Sequence, residues 1–150
     1  MQSVDTTVIE REIKISAKPE TVFSFLTDPA KLRKWFVADA KTDPRPGGSY
    51  ELTMADPEYV AAGKYVEVQP PTRLVFTWGW KGGDEPTPVG ATTVEITLHP
   101  DGPGTLLRFV HSGFTSDTSR ESHGKGWTKY LNRLAIAAAG GDPGPDEPQE

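Results

Sequence analysis

Between residues 7 and 15 apolar and charged side chains alternate, with Ile9, Ile13 and Ile15 on one face and Glu10, Glu12 and Lys14 on the other. A period of two predicts a half-buried strand, and the same parity puts Arg11 on the apolar face. Pro19 opens a short predicted helix at its first position, where the missing N–H costs nothing. Val22, Phe23 and Leu26 form its inner stripe. Thr27-Asp28-Pro29 ends that helix and starts a second, with Asp28 as the cap and Leu32 and Trp35 on one side. Arg45-Pro46-Gly47-Gly48 reads as a turn. It launches a strand over 49–54 with Tyr50, Leu52 and Met54 facing inward. Further strands are predicted over 63–68, 73–80, 92–98 and 105–112, separated by the Gly- and Pro-rich loops 82–90 and 100–104. Connections this short favour antiparallel neighbours, because parallel pairs need long crossovers.

Towards the end, 126–139 is the long helix candidate, with Trp127, Leu131, Leu134 and Ala138 as an apolar stripe. Gly140-Gly141 ends it. The strand over 73–80 places Leu74, Phe76, Trp78 and Trp80 on a single face. Each of those rings buries roughly 150–250 Å² when packed, so the face needs a cover. The helix stripe supplies it. The predicted fold is therefore α+β, a curved six-stranded antiparallel sheet around a long C-terminal helix, with two short helices after the first strand. Residues 1–6 are expected to be a flexible N-terminus, 7–140 the domain, and 141–150 a disordered tail rich in acids and proline.

Composition narrows the function without naming it. A chain of 150 residues is one domain by length, large enough to bury a core without staples. A net charge of −5 argues against nucleic acid as a partner. The longest apolar run, 134–139, is too short for a membrane span, and no apolar signal core follows the first residues. The chain has no cysteine, so thiolate chemistry is excluded and a cytoplasmic location fits.

The residues already placed resemble a known family. Thr27-Asp28-Pro29 with Leu32 and Trp35-Phe36, and Arg45-Pro46-Gly47-Gly48-Ser49-Tyr50, are similar to its first half. Gly63-Lys64-Tyr65 and Pro70-Pro71-Thr72-Arg73-Leu74-Val75-Phe76-Thr77-Trp78 are similar to its centre. Gly104-Thr105, His111-Ser112-Gly113-Phe114 and Gly126-Trp127 with Leu131 and Leu134 are similar to its close. Together they resemble the Aha-type family, named for the activator of the 90-kDa heat-shock protein ATPase, within the START-like (SRPBCC) superfamily. The likeness spans roughly residues 8 to 139, and motifs in this order are more specific than any one of them. It implies a helix-grip fold with a cavity between sheet and helix, a hydrophobic ligand, and a link to chaperones and the stress response. The eukaryotic namesake carries a second, amino-terminal domain; this chain is expected to hold one.

Two readings of the aromatic face stand side by side. Trp35, Phe36, Tyr50, Met54, Phe76, Trp78, Trp80, Phe109, Phe114, Trp127 and Leu131 line a pocket for a small hydrophobic molecule, or they fill the core. Parity also turns Arg11 and His111 inward. There they orient a carboxylate, phenol or carbonyl of a ligand, with His111 moving protons, or they are satisfied by internal hydrogen bonds. An enzyme of the cyclase or hydrolase kind would use Arg11, His111 and Tyr50. His99, His111 and His123 lack metal-ligand spacing, and no catalytic or cofactor-binding motif is present; neither metal nor cofactor is expected. Lys31, Arg33 and Lys34 form a basic cluster that either meets an acidic partner such as a chaperone or is simply solvated. The loop 79–90 is expected to be a mobile rim beside the tryptophans.

Overall fold

The computed structural model describes residues 8–81 and 87–146. Its elements run β1 (Val8–Ile15), α1 (Pro19–Thr27), α2 (Pro29–Leu32), β2 (Asp39–Thr42), β3 (Ser49–Thr53), β4 (Val60–Gln69), β5 (Arg73–Trp78), β6 (Thr92–Asp101), β7 (Gly104–Ser112) and α3 (Asp117–Ala138). One antiparallel sheet has the order β1-β7-β6-β5-β4-β3-β2, and the long C-terminal helix lies across its inner face. The fold is α+β, as the hydrophobic pattern predicts.

The sheet has seven strands among the described residues rather than six. The addition, β2, is four residues long and pairs with β3 from Asp39↔Thr53 to Thr42↔Tyr50. Only Ala40 in it is buried, so it offers almost no alternation to detect. Inner-face rows are continuous across the sheet's middle, where Leu74↔Ile96↔Phe109 and Phe76↔Val94↔His111 are aligned neighbours. Opposite residues on adjacent strands share a face, so these rows form one apolar wall. A register shift between Tyr65 and Glu67 leaves Val66 outside the ladder and exposed, a β-bulge that bends β4.

The short helices follow their sequence signals. Pro19 stands at the start of α1, which buries Val22, Phe23, Phe25 and Leu26. The Asp28 carboxylate accepts from the Ala30 N–H at 2.9 Å and starts α2. The Trp35 indole N–H donates to the Phe25 carbonyl at 2.9 Å, fixing the chain that leaves α2 against α1.

The long helix starts nine residues earlier than predicted, at Asp117 rather than Gly126. Ser116 caps it by accepting from the Ser119 N–H. Gly124 and Gly126 made this stretch read as a breaker, since glycine costs a helix interior about 1 kcal/mol relative to alanine. At Gly124 a Cβ would stand 3.2 Å from the Arg11 guanidinium on β1, a tight contact to which the arginine would have to yield.

Residues 142–146 also depart from expectation. Instead of leaving as a disordered tail they fold back on α3. The Arg133 guanidinium donates to the carbonyls of Pro143, Gly144 and Pro145, and its Nε donates to Trp35 O at 2.8 Å. Tyr130 donates to Asp146 at 2.7 Å, and Lys129 pairs with the same carboxylate. Charge-assisted hydrogen bonds of this kind hold a segment that has little apolar surface of its own. The expected flexible residues 1–6 and the remaining tail, 147–150, lie outside the described residues.

Candidate functional site

Side chains from β3–β7, the α2–β2 connection and α3 enclose two adjoining spaces under the helix. The inner one has a cavity volume of ≈ 30 Å³ and is walled by Leu and aromatic side chains, Phe109, Tyr50 and Leu131 among them. The outer one, of ≈ 90 Å³, lies among Met54, Trp78, Trp80, His123, Gly126 and Tyr130. Phe36 and Trp127 line both and form the partition, their ring centroids 5.4 Å apart. The deep cavity implied by the family resemblance is therefore largely occupied by stacked rings. Trp35 stacks on Phe36 at 4.7 Å, and Trp127 sits 4.6 Å from Phe109 and 5.2 Å from Trp78.

The tryptophans are held by histidines. Trp127 Nε1 donates to His111 Nδ1 at 2.9 Å, and His111 Nε2 lies 2.8 Å from Thr92 Oγ1, which donates to Trp78 O at 3.1 Å. An indole can only donate, so Nδ1 must be the acceptor and Nε2 must carry the proton. The chain of bonds is complete with His111 neutral. Burial, and after it the nearby His123, lowers the His111 pKa from 6.5 to about 2. A second pair repeats the arrangement at the outer end. Trp80 Nε1 donates to His123 Nε2 at 2.9 Å, and the other ring nitrogen, Nδ1, donates to Ser119 O at 2.8 Å.

Ten of the predicted residues line one space or the other: Trp35, Phe36, Tyr50, Met54, Phe76, Trp78, Trp80, Phe109, Trp127 and Leu131. Three do not. Phe114 packs behind the wall on His111, at 4.4 Å between ring centroids. His111 is fully buried but spends both nitrogens inside the scaffold. Arg11 is exposed, because β1 is the edge strand and α3 passes over it. Its Nε donates to Thr128 Oγ1 at 3.2 Å, and its Nη groups to the carbonyls of Glu10 and Gly124. The trio of the enzyme reading is thus not brought together in either space. Tyr50 donates its hydroxyl proton to Thr77 O at 2.6 Å, and burial, then Tyr65, raises its pKa well above 10.0.

Ser122, His123, Gly126 and Tyr130 line the outer space and were not among the predicted site residues. The signal existed: Ser119 and His123, eight and four residues before Trp127, extend the helical stripe backwards. Among the described residues no three His, Asp or Glu side chains gather where they could hold a metal ion. The described flanks of the expected rim are tied down: Trp80 N–H bonds to Thr87 O at 2.9 Å, and Thr87 and Ser119 hydroxyls meet at 2.7 Å. Residues 82–86, the middle of that loop, lie outside the described residues. Gly79 permits this closure, since a Cβ there would collide with the Pro88 carbonyl at 1.9 Å.

Residues 16–139 match the model of the family described as activator of Hsp90 ATPase homolog 1-like protein. The chain belongs to that family. Solved structures agree with the AHSA1-like assignment and with a START-like, helix-grip fold. An AHSA1-like protein from Rhizobium etli is 41% identical, with 93% of this chain and 86% of that one covered and a TM-score of 0.73. Protein MLL2253 from Mesorhizobium loti is 27% identical over 85% and 93% of the two chains, TM-score 0.74. CalU16 from Micromonospora echinospora is 29% identical over 89% and 76%, TM-score 0.71. Comparison with proteins of curated function gave no match. Among the described residues no helix of this AHSA1-like chain is long and apolar enough to cross a membrane.

Proposed function

We propose that this AHSA1-like domain binds a small, largely apolar molecule in the space between the sheet and α3. The observation that carries the reading is Gly126. It sits inside α3, where glycine costs about 1 kcal/mol relative to alanine. Unlike Gly124 it has no steric excuse, because a Cβ built on it meets nothing within 4 Å. It lines the outer cavity, so its bareness keeps that cavity open at the expense of helix stability. The two spaces are parted only by the Phe36 and Trp127 rings. Merged, they approach the ~150 Å³ at which an engineered apolar cavity takes up benzene.

NMR titration with benzene tests this. Saturable shifts at Phe36, Trp127 and Leu131 are expected. Gly126→Leu should fill the outer space, abolish those shifts and raise Tm, since leucine is a better helix former. Benzene that binds the variant as well as the parent, or binds neither, rejects the reading.

The family's description supports a second reading, a chaperone-directed interaction module, for which two cations of the basic cluster Lys31, Arg33 and Lys34 already have partners within the domain. Lys31 bonds to Ser24 Oγ at 2.8 Å and lies over the Phe25 ring, and Arg33 pairs with Asp39 at 3.7 Å. These cations are engaged within the domain.

A further inference from the structure

The chain has four tryptophans, all of them described, and their N–H groups are not treated alike. Trp35 donates to Phe25 O, Trp80 to His123 and Trp127 to His111. Trp78 Nε1 is buried and has no partner, although the side chain is only 2% exposed. A buried donor without an acceptor is uncommon in folded proteins and calls for a reason.

The polar side chains packed against the Trp78 ring are engaged elsewhere. His111 accepts from Trp127 through Nδ1 and uses Nε2 on Thr92. His123 Nε2 is taken by Trp80. Thr92 Oγ1 serves His111 and Trp78 O. Otherwise the Trp78 ring is surrounded by Phe36, Phe76, Trp80 and Trp127. Trp78 lines the outer cavity but not the inner one.

We propose that the ligand carries a neutral hydrogen-bond acceptor, a ketone, aldehyde or ester oxygen, which takes the Trp78 N–H in the outer cavity while its hydrocarbon part points towards Phe36 and Trp127. This rests on the small-molecule reading above and specifies its chemistry. A carboxylate fits poorly, because no lysine or arginine lines the cavity and a buried anion without a cation is costly. An alcohol or amine donor would face Trp78 donor to donor. A pure hydrocarbon would leave the indole as it is now.

The test compares cyclopentanone with methylenecyclopentane, probes of the same heavy-atom skeleton that differ by an oxygen in place of a CH₂ group. Both are titrated by NMR against the parent and Trp78→Phe, which keeps an aromatic ring and removes the N–H. The ratio of the two dissociation constants should shift by about tenfold towards the hydrocarbon in the variant, the loss of one hydrogen bond. In the parent, the Trp78 indole N–H signal should move downfield with the ketone and not with the hydrocarbon. That second readout needs no variant and survives a failure of Trp78→Phe to fold. Both probes bound with an unchanged ratio and a stationary indole signal would overturn the acceptor assignment and leave the binding site standing. Hydrocarbon bound with the ketone excluded would do the same. If neither probe binds, the small-molecule reading itself fails, and this inference with it.

Discussion

The inner and outer ends of the space under α3 share the Phe36 and Trp127 rings and are finished differently. At the inner end, Phe109, Tyr50 and Leu131 close around ≈ 30 Å³, and the polar tip among them, the Tyr50 hydroxyl, is bonded to backbone. At the outer end ≈ 90 Å³ remains, a glycine stands where a larger side chain has room, and an indole N–H has no acceptor. The inner end is packed as a core is packed. The outer end forgoes both helix propensity and a hydrogen bond. Density alone does not separate core from site here; what separates them is whether the local choices also favour stability.

The largest effect should come from opening the inner end. Phe109 is fully buried and packs on Trp127. Phe109→Ala should destabilise the domain by about 3–5 kcal/mol, the range for removing a buried aromatic ring, read from urea denaturation. A loss under about 1 kcal/mol would mean that the inner end is no better packed than the outer, and the contrast would collapse.

Much of this contrast was hidden in the sequence for definable reasons. Alternation exposed most of the strands because each has one wet and one dry face, and it named most of the cavity walls. It could not expose β2, whose four residues contain one buried side chain. It placed Arg11 on the correct face of β1 but could not show that β1 is the sheet's edge, where that face meets α3 and open water. Gly124 and Gly126 masked the first half of α3 and with it Ser122 and His123. Parity gave the facing of Trp78, Trp80 and Trp127 but not the pairing of donors, which depends on where two histidines on different elements converge.

Acid should probe the histidine that braces the partition. His111 has its pKa lowered to about 2, below the ordinary 6.5 that it regains when unfolded. Between those values the unfolded chain binds a proton that the folded one refuses. The stability contributed by neutral His111 is therefore complete above about pH 6.5 and is lost as pH falls towards 2, at up to about 1.4 kcal/mol per pH unit. Urea midpoints from pH 7 to 4.5 would show this slope. His111→Gln, which cannot take up a proton, should be less stable at pH 7 and less sensitive to acid. An unchanged acid slope in the variant would move the effect to other groups.

The finest comparison sets two tryptophans against each other. Trp78 and Trp127 are 2% and 4% exposed, and their rings lie 5.2 Å apart. Replacing either by phenylalanine removes the same atoms, so the packing losses should be similar. Their N–H groups differ. Trp127→Phe leaves His111 Nδ1 buried without a donor, whereas Trp78→Phe deletes a donor that already lacks an acceptor. Stranding one buried polar group costs about 1–3 kcal/mol, so Trp127→Phe should be the more destabilising by about that amount, with Trp78→Phe showing the packing loss alone at pH 7. The double variant measures the coupling between the two positions, which rings in contact should show. Equal losses at the two positions would show that Trp78 has an acceptor after all, and the outer end would then be as fully satisfied as the inner.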